Sequence, residues 1–395
     1  MESTRVEPER VYLDYGGFAP VDPRVLAVTR PFLEAGIGNP SARHALGAEA
    51  RESLDAARVK VARLCGAAAG GIVFTSGATE ANNLAIKGLA ARARGDGPAR
   101  ILLSAIEHIS VINACRDLEK AGATLCYLPV DGEGRVDPGA LRAAITPDTI
   151  LVSIAAANPE IGTVQPLQEI GRVTRAAGVS LHVDGVGALG RVPLNVEAMS
   201  IDLLTISGND LYAPPGSGAL WIRPGVRIHP QMLGGGQEGG YRSGTENLPG
   251  VVGFGVAAEL MRVEGAHQEA ARLTALRDRL RKGLLEAIPD CRPTGSLRSR
   301  LPHHLSLVVR GVKADSVLLD LDLAGVAASS GSACASLTQT TSHVLRAIGC
   351  TPEEAEGSIC FTLGRWNTAA DIEAVLDRLP PIVARLRALA APLRT

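Results

Sequence analysis

Neither sign of charge prevails in this chain: 40 Lys+Arg stand against 41 Asp+Glu in 395 residues. A balanced chain has no net field with which to gather nucleic acid or an anionic membrane surface. The first ten residues contain no apolar signal core, and no apolar run approaches the roughly 20 residues that cross a bilayer. The expectation is a cytoplasmic protein. Cysteine is sparse and scattered: Cys65, Cys115, Cys126, Cys291, Cys334, Cys350 and Cys360 make an odd total of seven. No two have C-x-x-C spacing, which argues against a disulfide framework or a closed zinc site. Most are expected to be small buried hydrophobes. Internal repeats, low-complexity tracts and nucleic-acid modules are absent too. What remains is ordinary globular composition, 46% hydrophobic and 21% charged, in a chain long enough for a large core and two lobes.

From Val11 to about Ile222, short β-rich runs alternate with helical stretches. Residues 71–74 precede a helix beginning near Ala78, and 101–104 precede a helix over 110–121. Residues 149–154 lead to a helix over 167–177, followed by an apolar run at 180–183. Continuous apolar strands between helices mark a mostly parallel sheet covered on both faces, so the fold class is α/β. After Gly236 a Gly-rich turn leads through residues 251–260 to a charged helix expected over 266–287. The predicted division is a large α/β domain over 11–260 and a smaller α+β domain made of 1–10 and 261–395.

Several segments carry residues that chemistry would need. In the stretch 74–83, FTSGATEANN, the backbone amides of Ala78 and Thr79 at a helix N-terminus would face an anion. Taken alone, an ordinary N-capped helix is the commoner meaning. His108 follows a strand, where a lone histidine is more often structural. Asp184 ends a strand, which is where ligands bind in open α/β sheets. Cys334 sits among Ser329, Ser330, Gly331 and Ser332, a polar and flexible setting that is odd for a core cysteine and suited to a moving thiol.

In this order, together with GGGQEGGYRSGTEN at 234–247 and TISGNDLYAPPGSGAL at 205–220, these segments resemble the cysteine desulfurases of nitrogenase and housekeeping type. The resemblance runs from about Val11 to about Leu379. That family belongs to aminotransferase class V and uses pyridoxal phosphate (PLP), which implies the PLP-dependent transferase fold type I. By the same resemblance, Ala78 and Thr79 lie in the phosphate-binding turn, Ser207 is a further cofactor-binding residue, His108 stacks on the pyridine ring, and Asp184 holds the pyridinium nitrogen so that the ring can act as an electron sink. Thr245 reaches the phosphate of a neighbouring subunit, implying a homodimer. The Cys334 loop matches the sulfur-accepting loop of the branch that serves iron–sulfur assembly. Its partner would then be an iron–sulfur scaffold protein or another sulfur acceptor, with Cys334 accepting persulfide sulfur or sharing a [2Fe-2S] cluster as a thiolate ligand.

The departures from the family pattern gather in its pocket. Asp210 stands where the family has its Schiff-base lysine, and a carboxylate cannot form an imine. Asn209 replaces a histidine, Pro159 an asparagine near the cofactor, and Gly187 the glutamine that bonds the ring hydroxyl. Cys360 occupies the place of the arginine that grips the substrate carboxylate, a bidentate clamp a thiol cannot imitate. Residues 14–20 replace a segment lining the same cleft. Lysine to aspartate changes the local charge by about two units, which disfavours an anionic cofactor. Non-covalent, weak PLP binding is therefore expected, or none. The leading reading is a sulfur-transfer or iron–sulfur protein whose lysine chemistry is lost. The alternatives are an enzyme using free PLP with Asp210 as general base, or a non-catalytic subunit paired with an active paralogue.

Overall fold

Seven strands line up in one sheet because six of them are buried apolar runs that only another protein layer can cover. In the computed structural model, which describes residues 10–34, 38–92, 99–331 and 342–390, they are β2 (Ile72–Thr75), β3 (Arg100–Ser104), β4 (Thr124–Leu128), β5 (Thr149–Ala155), β6 (Ser180–Asp184), β7 (Leu203–Ser207) and β8 (Gly218–Ile222). Their order is β2-β8-β7-β6-β5-β3-β4, and β8 alone runs antiparallel to its neighbours. The expected mostly parallel sheet is thus present. β4, at the edge, is the exposed exception.

Successive strand residues point to opposite faces, and that alternation divides the core. Leu102, Val152, Ile154, Leu204 and Ile206 pack into one apolar layer, while Ile101, Leu103, Leu151 and Leu203 pack into the other. Each layer is closed by helices, among them Ala45–Leu64 and Leu248–Leu260 on the first face, and Ala78–Arg92 and Ile109–Lys120 on the second.

A separate apolar cluster joins Val11 and Leu13 to residues between Leu273 and Val383. It is built on β1 (Val11–Tyr12) paired with β11 (Val326–Ala327), and on β9 (Cys291–Pro293), β10 (His304–Val309) and β12 (Ser358–Thr362) in the order β12-β10-β9. A smaller cluster, with Ile106 and Ile161 against Val308, Val344 and Leu345, ties this part to the large sheet beside the site described below.

The charged helix expected over 266–287 is regular α-helix only over Ala270–Ala287. A π-helical stretch, Met261–Glu269, connects it to Leu248–Leu260. The wider winding joins two helices with different needs. The first is buried nearly all round, whereas the second buries only the stripe Leu273, Arg277, Leu280 and Leu284.

Candidate active site at the carboxyl ends of the strands

The turns leaving β2, β3, β5, β6 and β7 open into one cleft of about 420 Å³, within the range of small-molecule sites. Ser76, Gly77, Ala78, Thr79 and Glu80 line it after β2, and His108 after β3. Ala155 ends β5, with Ala157 and Pro159 after it, Asp184 ends β6, with Val186 after it, Ser207 ends β7, and Gly17 comes from the N-terminal segment. Of the sequence-based candidates, Ala78, Thr79, His108, Asp184, Ser207 and Pro159 therefore share one cavity.

The Ala78 and Thr79 amides open the helix Ala78–Arg92, where backbone N–H groups lack helical partners and can receive an anion. Glu80 orders this turn: one carboxylate oxygen accepts the Ser76 amide at 2.8 Å, and the other meets Arg242 Nε at 2.9 Å. Burial pushes the Glu80 carboxyl up, but these bonds outweigh it and hold it below the ordinary range. Arg242 thereby fastens the 234–247 loop to the turn. Gly218 lets β8 pass close by, since a Cβ there would lie 2.6 Å from Gly77 Cα.

Asp184, 5% exposed, accepts from Asn82 Nδ2 at 2.9 Å and from the Val186 amide at 3.0 Å, which fixes its carboxylate at the end of β6. His108 caps the helix Ile109–Lys120, with Nδ1 2.7 Å from Ser110 Oγ. Beside it Glu107 is fully buried. One carboxyl oxygen accepts from Ser104 Oγ at 2.7 Å and from the Ala155 amide at 2.9 Å, while the other has no partner. Burial pushes its pKa up to about 8, so this acid is largely neutral.

The family departures gather beside this cleft as an altered rim, of which only Pro159 and Gly17 are among the lining residues. Asp210 lies in the short turn Asn209–Leu211 after β7. Burial raises its pKa; a hydrogen bond from Ser207 and the nearby Arg191 guanidinium pull the other way. Arg191 does not close an ion pair with it, because Nη2 bonds the Asp210 main-chain carbonyl at 3.0 Å and Nη1 has no partner. Asn209 Oδ1 is likewise without a donor. Gly187 adopts φ +75°, a backbone conformation a glutamine would take only with strain.

Cys360 does not line the cleft. It is 2% exposed on β12, with its Sγ 3.2 Å from His304 Nε2. The same nitrogen is 2.8 Å from the Pro159 carbonyl. A carbonyl only accepts, so Nε2 carries the hydrogen and the basic lone pair sits on Nδ1, which has no partner. Burial, with Arg300 close by, holds the imidazole pKa down to about 3, and burial pushes the Cys360 thiol up. The pair is a neutral plug behind Pro159, not an activated thiol.

Cys334 lies outside the described residues, but residues flanking it on both sides contact Cys360, Glu160 and Glu107, the last two adjacent in sequence to the lining residues Pro159 and His108. Ser329 exchanges main-chain bonds with Cys360 at 3.2 and 2.7 Å. A Cβ on Gly331 would meet Glu160 Cγ at 3.0 Å. On the far side, the Ser342 side chain bonds Glu160, and His343 Nε2 donates to the Glu107 carbonyl at 3.0 Å. Glu160 is 6% exposed, and burial pushes its pKa up to about 7. Thr245 is exposed and is not among the residues lining its own chain's cleft. Sequence reasoning missed the His304 plug and the Arg191 contact, because each meets its partner only through tertiary register.

These observations also test the fit of a B6 cofactor. The Ala78–Thr79 amides and Ser207 could hold a phosphate, and Asp184 a protonated ring nitrogen. Covalent attachment does not fit. The sequence has five lysines, Lys60, Lys87, Lys120, Lys282 and Lys313, and none lines the cleft.

The class-V aminotransferase family matches residues 11–375. The chain is 46% identical over 378 residues to cysteine desulfurase IscS 1 of Archaeoglobus fulgidus, covering 96% of this chain and 98% of that protein. It is 44% identical over 379 residues to cysteine desulfurase IscS of Dictyoglomus turgidum, covering 96% of each. The solved structure of a NifS-like protein superposes with a TM-score of 0.89 at 34% identity, covering 95% of this chain and all of that one. With a type I PLP-transferase fold and such relatives throughout, the chain belongs to the cysteine desulfurase family of class-V aminotransferases.

Proposed function

We propose that this protein handles sulfur for iron–sulfur cluster assembly without forming the Schiff base by which its family activates cysteine. One observation carries the reading: the cleft offers no lysine, and the family's lysine position holds Asp210 beside Ser207. The arginine position is filled by Cys360, whose thiol is buried against a neutral imidazole. A substrate α-carboxylate therefore loses its expected cation as well. The desulfurase reaction has lost both its covalent handle and its substrate clamp.

What remains is Cys334, whose described flanking residues Ser329, Ser342 and His343 contact Cys360, Glu160 and Glu107. On this reading Cys334 accepts sulfane sulfur produced elsewhere, or lends a thiolate to a cluster forming on a docked scaffold protein. On this reading the protein acts as a homodimer, with the exposed Thr245, which does not line its own chain's cleft, reaching the neighbouring subunit's site. If any B6 phosphate binds, it does so non-covalently, with its ring serving as an electron sink when present. Ala78, Thr79, Ser207 and Asp184 hold and orient it, and His108 covers it.

The test is sulfur capture. The purified protein is mixed with a lysine-bearing desulfurase and L-cysteine, and its intact mass is followed. The expected result is one added sulfur on the wild type and on Cys360→Ala, and none on Cys334→Ala. Sulfide release from cysteine by this protein alone at a rate like that of the lysine-bearing enzyme would overturn the proposal.

A further inference from the structure

A phosphate entering this cleft must approach negative charge. The amides of Ala78 and Thr79 open a helix and can receive an anion, yet the lining residues include the acids Glu80 and Asp184 and no lysine or arginine. Glu80 is the sharper conflict, because it lies in the first turn of that same helix. Burial raises its pKa, but the bonds from Arg242 and Ser76 more than reverse this, so it stands as a carboxylate. Its Oε2 accepts the Ser76 amide at 2.8 Å, within the turn a phosphate would use. The one cation that meets it comes from outside the lining: Arg242 Nε lies 2.9 Å from Oε1. Their side chains are only 21% and 19% exposed, Arg242 and Glu80 respectively, so water screens the pair weakly.

The loop carrying Arg242 is itself fastened to the strand before this turn. Glu238 accepts Arg58 Nη1 and Nη2 at 2.7 Å each and the Phe74 amide at 2.8 Å. Beside Arg242, the Ser243 amide bonds the Met232 carbonyl at 3.3 Å, and Ser243 Oγ accepts the Gly236 amide at 3.3 Å. The guanidinium is therefore delivered to Glu80 by a braced loop. We propose that Arg242 is a positioning residue for the phosphate site: without touching the ligand, it neutralises Glu80 and holds it on the Ser76 amide, so that a phosphate at Ala78 and Thr79 meets backbone donors instead of a bare carboxylate. This deepens the reading above of those two amides as the phosphate holders. It concerns binding alone, and no bond is made or broken. An unneutralised carboxylate a few ångströms from a phosphate, at the dielectric of a partly buried site, lowers affinity by about tenfold.

The test uses 4′-deoxypyridoxine 5′-phosphate, which has the ring and the phosphate but neither aldehyde nor amine. It is titrated by calorimetry into the full-length wild type, Arg242→Gln, Arg242→Lys, Glu80→Gln and the double variant Glu80→Gln/Arg242→Gln. Arg242→Gln should bind about tenfold more weakly than the wild type, and Arg242→Lys within about threefold of it. Glu80→Gln should bind at least as tightly as the wild type, because glutamine keeps the acceptor for Ser76 and loses the charge. The decisive expectation is recovery: the double variant should return to within about threefold of the wild type. A double variant as weak as Arg242→Gln would overturn the proposal, since Arg242 would then act by touching the ligand or by shaping the loop. Undiminished binding by Arg242→Gln would overturn it too. Should Arg242→Gln fail to fold, Glu80→Gln against the double variant decides alone, near-equal affinities supporting the proposal and a tenfold loss refuting it. A wild type that does not bind the probe refutes the phosphate-site reading along with the proposal, whereas binding without recovery refutes the proposal only.

Discussion

The two rims of the cleft follow different rules. On one, Ser76–Thr79, His108 and Asp184 are held by their own hydrogen bonds, so that Glu80, Asn82 and Ser110 orient an anion site and a carboxylate in advance. On the other, the groups that would carry desulfurase chemistry are replaced by ones that satisfy themselves internally or not at all. Cys360 and His304 form a neutral pair behind Pro159, while Asn209 Oδ1 keeps an acceptor without a partner. The binding scaffold and the catalytic groups are thus physically separable. The first is set by strand ends and helix starts and outlasts the loss of the second.

The sharpest way to break the comparison is Asp210→Lys, which returns an amine to the altered rim. PLP should then form an adduct reducible by borohydride, measurable by intact mass. Cysteine turnover should stay at least about 30-fold below that of a lysine-bearing relative, since a missing buried charge clamp costs about 2–5 kcal/mol. Family-like sulfide release from the single variant would show the remaining departures to be neutral.

His304→Ala tests the plug. It empties a fully buried site and orphans the Pro159 carbonyl, so a loss of about 2–4 kcal/mol in denaturant unfolding is expected. If His304 were instead a base for Cys360, the variant would lose thiol reactivity with little change in stability. Cys360 should react with thiol reagents in the native protein only after unfolding.

Two buried acids give the pH dependence just above neutrality. Glu107 and Glu160 bind their protons more tightly folded than unfolded, with pKa values pushed up to about 8 and about 7. Their contribution to stability is full below about pH 4 and is lost as pH rises through those values. Asp22 and Glu354, pulled down to about 2 by their arginine partners, act in the opposite sense only in strong acid. The buried imidazoles of His182, His303 and His304, all held down by burial, oppose this slope below about pH 6.5. Stability should therefore fall between about pH 6.5 and pH 8, and Glu160→Gln should flatten that slope. A wild-type profile flat across the window would refute this assignment. The smallest effect is expected for Thr245→Val. As an exposed residue it should change stability by no more than about 0.5 kcal/mol. It should weaken phosphate-ligand binding only where the protein is dimeric.

Much of the preserved rim was legible in the sequence, because it is local. A strand, a turn and a helix start lie within ten residues at 74–83, and Asp184 ends an apolar run. The helix over Leu167–Ala177 begins and ends where the pattern places it. The altered rim was legible only as substitutions, not as structure. Cys360 was expected to line the cleft, but the pairing of β10 with β12 faces it toward His304, 56 residues away in sequence, a contact no local pattern encodes. The π-helical stretch Met261–Glu269 also escaped, since its composition is that of an ordinary amphipathic helix.

The central claim, that this cleft cannot hold PLP as a Schiff base, is tested most directly on the wild-type protein. It is incubated with PLP, reduced with borohydride, digested and searched by mass for the cofactor on lysine. The account predicts no adduct within the cleft, with any labelling confined to lysines outside it such as Lys87, which pairs with Asp117. A stoichiometric adduct accompanied by a cofactor absorbance that cysteine bleaches would contradict it.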